Sequence, residues 1–189
     1  MKIKLSGCLL AILGVLMSAG TAQAADARGM FKLGLDFGGD TLFTAPFLGG
    51  GSSAIKANEG IYIGGGVALV EVAKDVDVEL SLAWKWTAIT ADNGDVTFAR
   101  FPLEALAFYK FEKVRLGGEL AYHLNPTLKS GFFNLNTSYD NAVGSVPQAD
   151  YRIANNMNIG LRYTSIEYKA GNDPAKKGNG AGIMFSGSF

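Results

Sequence analysis

Glu119 and His123 are the residues in this chain best placed for proton-transfer chemistry. His123 is the single histidine, and a carboxylate stands four residues before it. In an extended chain that spacing puts both side chains on one face, where a carboxylate can orient an imidazole acting as general base. The more ordinary role of such a pair is a satisfied polar contact inside a fold. No second histidine exists, and the one cysteine, Cys8, lies in an N-terminal apolar run, so no set of metal ligands is expected. Gly64, Gly65 and Gly66 fall inside a strand pattern, the wrong setting for a phosphate-binding loop. The expectation is no catalytic residue, no cofactor and no metal.

A larger group of charges is spread along the chain with a common parity: Asp77, Glu79, Lys85, Arg100, Glu104, Arg115, Glu119, His123, Asp150, Arg152 and Arg162, joined by Lys32, Asp36 and Lys110. Both signs are present in similar numbers. Brought onto one enclosed face, they would form an ion-pair network, since a buried charge left unpaired is strongly destabilising and a paired one is close to neutral. The alternative is a narrow polar conduit, or a gate opened by rearranging such pairs.

The elements that must carry these residues are strands. From Asp75 to Ile89, Val76, Val78, Leu80, Leu82, Trp84, Trp86 and Ala88 alternate with Asp77, Glu79, Ser81, Ala83, Lys85 and Thr87. That is a period of two over about fifteen residues. The same alternation marks Phe31 to Phe37, Ile61 to Val72, Phe98 to Phe111, Val114 to Leu124, Ala142 to Ile153, a segment around Ile159 to Tyr163, and Ala181 to Phe189. The glycine run in the second strand predicts a bend or bulge there. After Thr164 the parity changes, because Ile166 and Tyr168 are apolar and Glu167 is not, which predicts a bulge or the membrane boundary there. Eight strands follow, joined alternately by two-residue turns (74–75, 112–113, 155–156) and by long loops, including a polar loop over 125–140.

Composition agrees with an all-β chain. Of 189 residues, 25 are glycine and only 5 proline, 48% are hydrophobic and the formal net charge is zero, which excludes a nucleic-acid binder recognised by charge. Lys2 and Lys4, the apolar run to Met17 and the small residues ending in Ala22-Gln23-Ala24 predict a secretory signal peptide over 1–24, cleaved after Ala24. The domain expected to remain is 25–189, without cysteine and so without disulfides.

The polar strand faces hold Gly34, Gly64, Gly66, Ala68, Ala83, Gly117, Ala121, Gly160 and Gly182 between the charges. Such residues have little reason to sit on a solvated sheet. They fit the narrow interior of an eight-stranded barrel. The apolar faces then point outward, and an exported chain with no apolar helix-length run can span a bilayer only as a closed barrel. Short turns on one side and long loops on the other match the periplasmic and extracellular ends of such barrels. Aromatics sort into two lipid-facing girdles: Phe31, Tyr109, Phe111, Tyr151 and Phe189 at the periplasmic ends, and Trp84, Trp86, Phe101, Tyr122 and Tyr163 toward the outer ends.

With the signal peptide ending at Ala24, the Tyr122-His123-Leu124-Asn125-Pro126 segment, Asn158 to Thr164 and a last strand closing on Phe189, the chain resembles the eight-stranded outer membrane protein β-barrel superfamily that includes the OmpA transmembrane domain and OmpX-like proteins. The resemblance implies an eight-stranded antiparallel up-and-down transmembrane barrel in a bacterial outer membrane. It also implies lipid and lipopolysaccharide as surroundings, and assembly machinery that reads the terminal strand through Phe189, with Gly187 standing where a larger apolar residue is usual. No peptidoglycan-binding domain follows the barrel. Lipid A deacylases of similar size use a lipid-facing histidine and serine. Here His123 has interior parity and Asn125 stands two residues on, so that motif is not matched. The function expected is a structural or surface-interaction role with a plugged polar lumen, the alternatives being a small or gated pore for small or hydrophobic solutes and, third, a lipid A-modifying hydrolase. Phe43, Pro46, Phe47 and Leu48, in the long first loop, are the candidate interaction loop: adhesive, folded into the barrel mouth, a lateral route for a hydrophobic ligand, or lying against lipopolysaccharide.

Overall fold

The computed structural model describes residues 26–46, 50–91, 94–131 and 135–189. The predicted signal peptide and the loop residues Phe47 and Leu48 lie outside them. The strands are β1 (Asp26–Gly38), β2 (Thr41–Pro46), β3 (Ser52–Lys56), β4 (Gly60–Ala73), β5 (Val76–Ala91), β6 (Gly94–Phe111), β7 (Val114–Ser130), β8 (Leu135–Ser138), β9 (Ala142–Ala154), β10 (Met157–Tyr168), β11 (Lys176–Lys177) and β12 (Gly180–Ser188). Strands β1, β4, β5, β6, β7, β9, β10 and β12 pair antiparallel in that order. Pairing of β12 back onto β1, from Met30↔Ser188 to Gly38↔Gly180, closes the cylinder. Closure removes the sheet edges that a spanning structure cannot leave unpaired.

The period of two fixes which side is in. Leu33, Leu35, Ile63, Leu80, Leu82, Leu103, Leu116, Leu120, Ile159, Leu161 and Ile183 stand on the outer surface, each more than 40% exposed, while Lys32, Asp36, Glu79, Lys85, Arg100, Glu104, Glu119 and Arg162 are buried inside. A continuous apolar belt around a polar interior is the reverse of a water-soluble barrel and matches a lipid-facing wall. Small interior residues make room for the charges. A Cβ at Gly160 would overlap the Asp150 carboxylate, and one at Gly182 would overlap that of Asp36.

Four details depart from the sequence reading. The register through Gly64–Gly66 is regular; the irregularity lies between Leu69 and Ala73. There Glu71 takes φ 56° and its amide donates to Asp77 Oδ1 at 2.8 Å. Of the two readings for the stretch after Thr164, the bulge is absent: β10 keeps one register against β9 from Asn158 to Ile166. Ile166 and Tyr168 keep interior parity and are buried, because the interior turns apolar beyond the outer mouth. The segment 125–140 is not simply a loop: β7 runs on to Ser130 and pairs with β8, with Asn125 at φ 47° marking the kink. The first long loop folds as the β2–β3 hairpin.

Pro147 lies within β9, outward-facing, paired with Gly118 of β7. Toward β10 the ladder is interrupted at the positions opposite Pro147 and Val146, between Arg162↔Gln148 and Ser165↔Ser145. The cause is the missing N–H, which leaves the Tyr163 carbonyl without its ladder donor.

Candidate functional site

The interior is layered. Nearest the two-residue turns, Lys110 contacts Asp77 at 3.0 Å and Glu71 at 3.5 Å. Arg115 bridges Glu79 and, at 2.7 Å, Asp150, while its guanidinium lies 4.0 Å from the centroid of the Phe108 ring. Lys32 links this layer to the next, 3.4 Å from Glu79 and 3.5 Å from Glu104. Glu104 is the hub. It receives the Tyr62 hydroxyl, Ser81 Oγ at 3.4 Å and Arg162 Nη2 at 2.9 Å. Arg162 also reaches Glu119 at 3.5 Å. Opposite charges from six strands, β1, β5, β6, β7, β9 and β10, thus meet in the barrel interior, which a low-dielectric interior favours once each charge has a partner.

Toward the outer mouth Lys85 pairs with Asp36 at 2.6 Å and donates to Asn58 Oδ1 at 2.9 Å. Arg100 donates to the carbonyls of Asn58 and Glu59 at 2.9 and 3.1 Å. His123 Nδ1 lies 2.6 Å from the Tyr168 hydroxyl. Above this layer Ile55, Ala57, Val96, Phe98, Leu128, Ala142, Ile166 and Tyr168 form a buried apolar cluster, with Leu42, Phe43, Ile89 and Tyr139 packed against it. Hairpin β2–β3 supplies one side of that cap. At the opposite end a cavity of about 150 Å³ is lined by Arg28, Lys110, Arg115, Arg152, Asp77 and Glu79, among others.

Each sequence candidate has a place in this arrangement. Asp77, Glu79, Lys85, Glu104, Arg115, Glu119, Asp150 and Arg162 meet in ion pairs. Arg100 is fully buried, held by carbonyls of the first loop. Arg152 stands apart, exposed on the rim at the short-turn end, because its strand ends there. Glu119 and His123 are not brought together: the carboxylate serves Arg162 and the imidazole serves Tyr168, beneath the cap. Of the first loop, Phe43 packs against the cap and Pro46 is exposed.

The aromatics form bands. Trp84 and Trp86 stack at 4.1 Å opposite Ile63 and Ile61, and Phe101 and Tyr122 lie at similar height, opposite Leu124 and Leu103. Tyr163 is exposed on β10. Phe111 and Tyr151 flank Val114 at the other end, with Tyr109 4.9 Å from Phe111 and Phe31 opposite Gly187. Phe189 is exposed, its amide bonded to the Gly29 carbonyl.

Sequence reasoning missed Tyr62, Leu106, Phe108, Met184 and Asn58, all buried. Leu106 and Phe108 share parity with Arg100 and Glu104 on β6, Tyr62 shares it with Gly64 and Gly66 on β4, and Met184 shares it with Gly182 and Ser186 on β12; that parity could have found them. Asn58 lies in a connection without periodicity, so no local signal marked it.

This layout defines a closed eight-stranded antiparallel β-barrel with an apolar outer wall and a charged interior. Among solved structures the chain is similar to Ail, the attachment invasion locus protein of Yersinia pestis, determined in complex with the heparin analogue sucrose octasulfate. The identity is 14%, over 88% of this chain and 99% of that one, with a TM-score of 0.53. It is also similar to Neisserial surface protein A, at 14% identity over 86% of this chain and 97% of that one, with a TM-score of 0.48. No protein-family model and no curated protein sequence matches the chain.

Proposed function

We propose that the protein is an outer membrane barrel with a closed lumen, whose role is structural or surface interaction and not solute passage. The observation that carries this reading is the double filling of the interior: the ion-pair network around Glu104 and Arg162 below, and the apolar cap around Phe98 and Tyr168 above. A conduit needs polar groups facing water along its length, and the described residues of the cap are mainly apolar. Strands β5, β6 and β7 extend beyond the outer aromatic band and carry β8, which supplies surface for contacts outside the cell.

Lipid and lipopolysaccharide surround the outer wall in this reading. The signal peptide is removed after Ala24, and the assembly machinery engages the terminal strand through Phe189. A hydrolase is disfavoured because His123 is fully buried and held by Tyr168, out of reach of a lipid. Recording from purified protein in planar bilayers tests the proposal. A silent bilayer is expected, and discrete, reproducible conductance steps would overturn it. Unchanged lipid A acylation on expression is the matching result for a non-enzyme.

A further inference from the structure

Asn58 is a polar residue from a loop, yet it is fully buried in the outer mouth. Its amide donates to the Gly38 carbonyl at 3.0 Å and its Nδ2 to the Phe37 carbonyl at 3.1 Å. Its Oδ1 receives Lys85 Nζ, and its carbonyl receives Arg100 Nη2. Backbone and side chain are thus both engaged, by three separate strands. The surroundings are shaped to receive it. A Cβ at Gly39 would lie 2.6 Å from the Asn58 amide nitrogen, and one at Gly180 would lie 2.6 Å from its Nδ2. Gly39, at φ +88°, also adopts a backbone that side chains disfavour.

Arg100 completes the picture from the barrel side. Among the described residues no carboxylate lies within ion-pair distance of it. The first loop gives it the carbonyls of Asn58 and Glu59, and the barrel wall gives it the Tyr168 hydroxyl and the face of the Phe98 ring. A buried guanidinium on neutral acceptors depends on them, since their loss would leave a buried charge without a partner.

We propose that the outer mouth contains a receptor site for the chain's own Ala57–Gly60 segment, with Asn58 as the inserted ligand and Arg100 and Lys85 as its holders, and that this contact latches the first loop over the lumen. The latch builds on the closed lumen proposed above but is a separate closure, at the outer end, joined to the Glu104–Arg162 pair through Asp36, which meets Lys85 at 2.6 Å and Arg162 at 4.0 Å. It predicts that freeing Asn58 opens the packed polar layer beneath the cap to solutes from outside while the ion-pair layer below remains in place.

Thr164 reports on that layer. It is buried, faces inward, and lies opposite Gly180 on β12, beside Asn58. Thr164→Cys in a Cys8→Ser background gives a lone thiol, to be probed on intact cells with a small, charged, membrane-impermeant methanethiosulfonate reagent. Adding Asn58→Ala, or separately Arg100→Gln, is expected to speed labelling at least tenfold over the latched protein. Both are measured on material that keeps the folded electrophoretic mobility of the barrel. Rapid labelling with the latch intact would overturn the proposal, as would slow labelling in both folded variants. Conductance by the unmodified protein would overturn the closed lumen but not this result. Slow labelling would remove the latch and leave the ion-pair plug standing.

Discussion

The Arg162 guanidinium and the Glu104 carboxylate meet 2.9 Å apart on the barrel axis, from strands β10 and β6 that are not neighbours in the wall. The pair is a strut across the lumen. Truncation of Glu104 to Ala leaves Arg162, Lys32 and the Tyr62 hydroxyl short of a partner. A loss of about 3–5 kcal/mol in unfolding free energy is expected for breaking such a buried pair. Urea titration in lipid vesicles measures it, and the Glu104→Ala/Arg162→Met double variant should lose less than the sum of the two single losses.

Outward orientation of β5 predicts a depth dependence. Leu82, opposite Leu103 midway along the barrel wall, should cost about 2–4 kcal/mol when changed to Lys. Val143, near the outer end of β9, should cost about 0–1 kcal/mol. Equal costs at both sites, read from vesicle unfolding, would contradict a membrane boundary between them.

Gly187 marks the closing seam. The ring of Phe31 occupies the space a side chain there would need: a Cβ would lie 2.5 Å from its Cε1. Gly187→Leu should therefore destabilise the barrel by about 1–3 kcal/mol through overpacking. Combining it with Phe31→Ala should recover part of that loss in the same titration.

Pro147→Ala supplies the amide that the Tyr163 carbonyl lacks. The new bond adds about 0.5–1.5 kcal/mol, and the added freedom of the unfolded chain subtracts about 0.4–1 kcal/mol. Stability should therefore change by less than about 1 kcal/mol. The sharper readout is hydrogen exchange, in which the new amide at 147 should be among the protected ones in β9.

The barrel wall was legible because lipid imposes a single rule on its outer face. Leu33, Leu35, Leu80, Leu82, Leu116 and Leu120 obey it without exception, so a period of two gave the strands and their inside and outside together. Beyond the outer aromatic band the rule no longer holds. Ile166 and Tyr168 follow Arg162 and Thr164 on one interior face, but apolar residues turn inward there to form the cap, so the chemistry that had marked the outside now marks the inside. Interior partners were legible as a set of charges and not as pairs. Lys85 meets Asp36 and Arg162 meets Glu104 through a register that no local spacing encodes. Asn58 depends on Lys85 and Arg100, far along the chain, and on glycines whose role shows only when the loop folds back.

The unequal heights of the strands have a consequence for how the molecule meets its neighbours. Strands β5, β6 and β7 rise past the outer mouth, whereas β1 ends at Gly38 and β12 starts at Gly180. Seen from above, the cylinder has a tall flank and a low one. A protein confined to a bilayer turns freely about only one axis, so this difference gives it a compass bearing: a body approaching within the leaflet meets a raised screen from one direction and a low sill from the other.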